Sequence, residues 1–233
     1  MTISEIYNFE DFCRELGTAG FSEFGGGGEV FSLIRYGWGS QPYGAPIRWH
    51  TGDPDTDPWQ WRLRVLSECD DIAYAKVFFG KGGFITREWY PYFVAARRDS
   101  RTFDESYYDG LVSRPAKRVF EVLSSNAALP TREIKRLGGF GREERSAFDR
   151  ALRELQNMLF ITICGSGRKI SGAGDEYGWD EMLYCTSEAF WGADVFAEAA
   201  ELDRDDAARA IQDRVRELNP AAPAARVRRF ISG

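Results

Sequence analysis

The sequence feature that most constrains the fold is a change of period near residue 160. From Glu143 to Leu159 the chain reads as one helix. Phe148, Leu152, Leu155 and Leu159 recur at spacings of four, three and four, which aligns them on one buried face. Arg142, Arg145, Asp149, Arg153 and Gln156 fall largely on the other side. The pattern then becomes short and β-branched. Phe160-Ile-Thr-Ile-Cys164 reads as a strand, Gly165 to Gly178 as a polar, glycine-rich loop holding Arg168 and Lys169, and Glu181 to Thr186 as the returning strand.

Upstream, Arg114 opens a helix with Pro115 in its first turn, where a missing N–H costs nothing. Thr131 reads as the N-cap of a short helix carrying Ile134 and Leu137. Gly138-Gly-Phe-Gly141 breaks that helix before the longer one begins. Two helices, a longer helix and a hairpin with a long tip give the order of a winged helix-turn-helix over 113–191. In that fold the third helix enters a major groove and the wing touches the neighbouring backbone. Arg142, Arg145, Arg153, Gln156, Arg168 and Lys169 are therefore the candidate DNA contacts. The alternation of Arg and Glu over 142–145 reads equally as a solvated, salt-bridged face.

Charge limits how such a face would work. The net charge is −6, and residues 1–60 hold nine acids against three bases. Residues 113–190 hold twelve bases and eleven acids. Any nucleic-acid binding must rest on local basic patches, and the acidic balance disfavours tight nonspecific binding. No apolar run approaches the length of a membrane span, and Met1-Thr-Ile-Ser-Glu-Ile lacks the regions of a signal peptide, so a cytoplasmic location is expected. Four cysteines without a CxxC pair read as reduced thiols, with Cys164 and Cys185 facing each other across the hairpin as buried thiols or a redox pair. The single histidine, His50, excludes a multi-histidine metal centre, and neither a metal nor a cofactor is expected.

Residues 1–112 read as an aromatic-rich, mainly helical region. Asn8 or Ser4 caps a first helix bearing Phe9, Phe12, Cys13 and Leu16. The run Gly25 to Gly28 lacks the Lys-Ser/Thr of a phosphate-binding loop and reads as a turn. Val30 to Trp38 is compatible with a short helix or a strand. Trp49-His-Thr-Gly-Asp-Pro-Asp-Thr-Asp-Pro-Trp-Gln-Trp61 is the densest stretch. One reading makes it a pocket, with carboxylates for acid, base or water-activating work and Trp49, Trp59 and Trp61 as stacking walls. The other makes Asp57 a helix N-cap, Pro58 the first helical residue, and Trp59 and Trp61 core anchors. Thr86 reads as the cap of a helix through Trp89 and Val94, ending at the basic run Arg97-Arg98-Asp-Ser-Arg101. That run reads as a phosphate contact or as a helix end matched to its dipole. Residues 192–233 read as a helix over Asp203 to Leu218 and a loose basic tail. Its stripe Ala207, Ile211, Val215 and Leu218 docks on the body or on a second copy, giving a homodimer. The expected class is α+β, mostly helical, with a winged helix-turn-helix between these two regions.

Asp57-Pro-Trp-Gln-Trp-Arg62, Tyr74 to Phe93, Ala128-Leu-Pro-Thr-Arg-Glu-Ile-Lys-Arg-Leu137, Glu154-Leu-Gln-Asn-Met158 and Tyr177-Gly-Trp179 together resemble the short bacterial AlkZ-related proteins. These are relatives of the AlkZ/YcaQ DNA glycosylases, which are built on winged helices. The resemblance implies a DNA-repair role on double-stranded DNA and, in the full enzymes, N-glycosidic hydrolysis of an alkylated or crosslinked base. The family pattern places Gln-x-Gln or Gln-x-Asp at the catalytic water. Gln41, Gln60, Gln156 and Gln212 have neither Gln nor Asp two residues on, so this chain departs from that pattern. His50, Asp53, Asp55 and Gln60 are the nearest chemical substitutes. Three functions follow: a DNA-binding module without the catalytic pair, a glycosylase with altered catalytic residues, or a protein-interaction winged helix.

Overall fold

The computed structural model describes residues 3–170 and 176–233, and the side chains of 169–170 and 176–180 fall outside what it describes. The candidate Lys169, Trp179 and the expected loop tip at 171–175 lie there.

The first half of the chain forms α1 (Phe9–Ala19), β1 (Phe21–Glu23), α2 (Pro58–Glu68), β2 (Ile72–Phe78), β3 (Lys81–Thr86), α3 (Tyr90–Arg98) and α4 (Phe103–Tyr108). The second half forms α5 (Arg114–Ser124), β4 (Leu129–Pro130), α6 (Thr131–Leu137), α7 (Arg145–Asn157), β5 (Ile161–Ile170) and β6 (Glu176–Thr186). It ends in α8 (Ser187–Trp191), α9 (Ala193–Ala200), α10 (Arg204–Leu218) and α11 (Ala224–Ser232). The class is α+β and mostly helical, around one antiparallel sheet ordered β1-β3-β2-β5-β6-β4.

Helices cover both faces of the sheet. Tyr74 and Phe84 point into one core with Phe12, Leu16, Trp61, Val119 and Phe148. Ala73, Ala75, Val77 and Ile85 point into the other with Phe93, Ile211, Val215 and Phe230. A strand buried on both sides shows no polar alternation. That is why Ile72 to Phe78 reads as a plain apolar run, and why the expected mainly helical N-terminal region instead supplies three strands. β2 pairs with β5 at Tyr74↔Ile163, so the sheet runs on across position 112.

The ends of the elements follow local chemistry. The Asn8 side chain caps α1, and Gly20 closes it at φ 92° with a Cβ position that would meet the Trp89 ring at 2.2 Å. Thr86 is the last residue of β3 and its hydroxyl donates to the Gly20 carbonyl; Trp89 precedes α3, which begins at Tyr90. Thr131 is the first residue of α6, after Pro130. A 3-10 turn, Arg142–Glu144, leads into α7, and Leu159 lies beyond the helix at φ 62°. Val30 to Trp38 forms neither helix nor strand up to the short turn that starts at Trp38.

The C-terminal segment is folded onto the body. Ala207, Ile211 and Val215 are fully buried in the core that α3 lines, so the α10 stripe is covered by its own chain and is not a dimer face. The tail forms α11, whose Phe230 stacks on Phe78 at 3.9 Å. Arg97 donates to the carbonyls of Asn157, Phe230 and Ile231, and Arg98 to those of Met158 and Leu159. The basic run thus closes the ends of α7 and α11 from within.

Candidate nucleic-acid interface and aromatic cleft

Two surfaces hold the residues singled out by the sequence. The first is the outer side of α7. Its inner side buries Phe148, Ala151, Leu152 and Leu155. Arg118 of α5 sets its direction. The guanidinium donates to the Gly138 and Gly139 carbonyls, pairs with Glu144 at 2.6 Å and lies 3.9 Å over the Phe140 ring. Glu154 of α7 in turn accepts from the Ser113 N–H and hydroxyl at 2.6 and 2.7 Å, fixing the start of α5.

This packing exposes Arg145, Arg150 and Arg153 along α7, with Arg142 just before it and Arg168 on β5. Neighbouring bases are engaged: Arg132 with Glu181 at 3.4 Å, Lys135 with Asp149 at 3.8 Å, and Arg136 with Glu133 at 2.9 Å. Among the described residues Arg142, Arg145 and Arg150 have no acidic partner. Gln156 departs from the expectation. It is fully buried, its amide donates to the Leu152 carbonyl, and its oxygen accepts from the Lys76 N–H at 3.0 Å. The unpaired backbone beside the β2 irregularity needs that acceptor, so Gln156 holds β2 to α7 and does not face outward.

The second surface is a cleft of about 740 Å³ lined by His50, Thr51, Gly52, Asp57, Trp59, Gln60, Arg62 and Leu63. Asp57 organises it. Fully buried, its carboxylate accepts from the backbone N–H groups of His50, Gly52 and Trp59 at 3.0, 3.0 and 2.9 Å. It therefore caps α2 and also folds back the loop before it, holding His50 at φ 59°. Its lone pairs are committed to backbone, so its role is architectural.

The cleft gathers His50 and Gln60 and leaves out Asp53 and Asp55. Asp53 accepts from the Thr56 hydroxyl at 2.6 Å and the Asp55 N–H at 3.0 Å, and these two bonds hold its carboxyl below the usual range. Asp55 is exposed, 3.8 Å from Arg64. The tryptophans divide as well. Trp61 is buried, with its indole N–H on the Asp55 carbonyl, and Trp49 is buried against Phe24, with its indole N–H on the Tyr36 carbonyl. Only Trp59 of the three lines the cleft, 41% exposed, with the Arg62 guanidinium 3.9 Å over its ring.

Sequence reasoning missed Trp38. It is exposed and meets the His50 ring edge-on at 5.6 Å, and Trp59 lies 5.2 Å from the same ring. Its only signal is a tryptophan set between Gly37 and Gly39, a large ring in a loop built for exposure. The Arg62 guanidinium also reaches Met182 on β6 at 3.8 Å. The glycine run has its own anion. The buried Glu23 carboxylate accepts from the N–H groups of Glu29, Val30 and Phe31 at 2.9, 2.6 and 3.0 Å. Among the described residues no group of three His, Cys, Asp or Glu is placed to hold a metal, and no helix is long and apolar enough to cross a membrane.

These features define an α+β protein with an arginine-bearing helix face beside a hairpin and a separate aromatic cleft. The chain belongs to the AlkZ-related family, whose sequence profile matches residues 6–232. No curated protein and no solved structure matches it.

Proposed function

We propose that this chain is a winged-helix protein of DNA repair that binds double-stranded DNA through the outer side of α7 and the β5–β6 hairpin, without the family's catalytic pair. The order α5, β4, α6, α7, β5, β6, with β4 paired to β6, supports the winged-helix reading. Family membership supports the repair role. The observation that carries the proposal is the set of unpartnered arginines. Among the described residues Arg142, Arg145 and Arg150 stand without acids while Arg132, Lys135 and Arg136 nearby are paired.

A second reading rests on the cleft. His50 and Gln60 line a cavity beside the exposed Trp59, a polar pair in an aromatic setting, which keeps a glycosylase with altered residues in play.

One experiment addresses both. Fluorescent duplexes, intact and N7-alkylated, are titrated at two salt concentrations, and the same tubes are heated in alkali to reveal abasic sites. The parent is expected to bind in a salt-sensitive way without strand breaks. Arg145→Glu with Arg153→Glu is expected to weaken binding at least about tenfold and to lower the salt slope by about two. Binding unchanged by that pair would sink the α7 assignment. Breaks confined to the alkylated duplex and lost in Gln60→Ala would establish the second reading instead. A parent chain that binds neither duplex would point to a protein partner.

A further inference from the structure

Cys13 and Cys69 lie 56 residues apart in the chain, yet their sulfurs meet at 3.5 Å. Cys13 is on α1, and Cys69 caps the end of α2, with its N–H on the Val65 carbonyl at 3.1 Å. The two helices are locked beside them by Phe12 stacked on Trp61 at 5.0 Å. Both cysteines are half-buried. Arg64, held by two bonds to Glu68, is the cation near the pair, and Asp71 is a neighbouring acid.

We propose that Cys13 and Cys69 form a dithiol site that reduces a hydroperoxide and closes to an intramolecular disulfide between α1 and α2. Neither thiol takes part in the surfaces described above. The hydrogen bond between the sulfurs holds Cys69 below the ordinary thiol value, against its burial and the nearby acids Asp71 and Glu68, and pushes Cys13 above it. In the proposed step Cys69 attacks as the thiolate. It bonds to one peroxide oxygen as the O–O bond breaks. The departing alkoxide or hydroxide takes a proton from water, and Cys69 becomes a sulfenic acid. Cys13 then loses its proton and attacks the Cys69 sulfur. The S–O bond breaks, and the hydroxide leaves as water with that proton. Two thiols and one hydroperoxide give one disulfide, one alcohol or water, and one further water. Two electrons pass from sulfur to the peroxide.

The hairpin pair serves as an internal control. Cys164 and Cys185 also interact, but Cys185 is buried in the sheet, and the Cys164 thiol donates to the Leu183 carbonyl at 3.5 Å. The full chain is treated with graded hydrogen peroxide without reductant, then alkylated and peptide-mapped. The expected result is loss of two of the four alkylatable thiols, a mass lower by two hydrogens, and one linked peptide joining Cys13 to Cys69. Dithiothreitol restores all four. In Cys13→Ser, Cys69 is expected to be trapped by dimedone as the sulfenic acid. Four thiols still alkylatable after peroxide, crosslinks only between chains, or loss of Cys164 and Cys185 ahead of the other pair would each overturn the proposal. The peptide map of the parent decides this even if a variant fails to fold.

Discussion

Asp57 shows how much work one buried carboxylate does here. The sequence Asp-Pro-Trp announces the N-cap, because a short acceptor before a proline is a helix start. It does not announce the other two bonds, to the N–H groups of His50 and Gly52, since those donors arrive from a loop whose path no local pattern encodes. Gln156 and Glu23 were illegible for the same reason. Each satisfies backbone donors from another segment, Lys76 in one case and Glu29 to Phe31 in the other. On a helical wheel Gln156 looks like a surface residue. Asp57→Ala strands two buried loop donors and removes a cap, and is expected to cost about 2–4 kcal/mol in urea denaturation. Asp57→Asn keeps one acceptor oxygen and is expected to fall between alanine and the parent. A urea midpoint for the alanine variant equal to the parent's would refute this account of the loop.

At the scale of elements, the third helix was readable because it has one wet side, and the hairpin because its buried run, Ile161 to Ile163, is β-branched and short. The period of 3.6 in α7 survives in the sequence only because the opposite face is polar. β2 has no such side, and the Arg97-Arg98 run deceives in the opposite direction, since two adjacent cations look solvated. Both reach inward to the last carbonyls of α7, and Arg97 also to those of α11, groups that no intrahelical donor can satisfy. Arg98 further pairs with Glu188 at 2.9 Å and lies 4.1 Å over Phe160. Arg98→Ala is therefore expected to cost about 2–4 kcal/mol, from charged hydrogen bonds lost at a buried helix end. Arg98→Lys should recover only part of it, because an ammonium cannot span two carbonyls and a carboxylate as a planar guanidinium does. The check is the denaturation midpoint together with duplex affinity at low temperature. A variant that lost duplex affinity while keeping the parent's midpoint would return Arg98 to the interface.

For the whole molecule the governing fact is one sheet between two cores, to which the first and second halves of the chain both contribute. Each core encloses tyrosine. Tyr74 and Tyr184 belong to one, Tyr90 to the other. Burial pushes the phenols of Tyr74, Tyr90 and Tyr184 up to about 12 each. In the unfolded chain a phenol ionises near about 10. The folded value is the higher one, so the stability these groups contribute is complete below the unfolded value and is lost as pH rises through the folded one. The window is pH 10 to 12. Each tyrosine removes on the order of 2–3 kcal/mol across it, so three of them approach the whole stability of an ordinary domain. Because β2 lends Tyr74 to one core and Ala73 and Val77 to the other, both cores are built on the same strand. Alkaline titration is therefore expected to give a single cooperative unfolding transition inside that window, with the late part of the tyrosinate absorbance and the tryptophan fluorescence changing together. Two separated transitions would show that the cores unfold independently, and all ten tyrosines forming tyrosinate in step with free tyrosine while the fluorescence stays native would show that the three phenols are not buried as described.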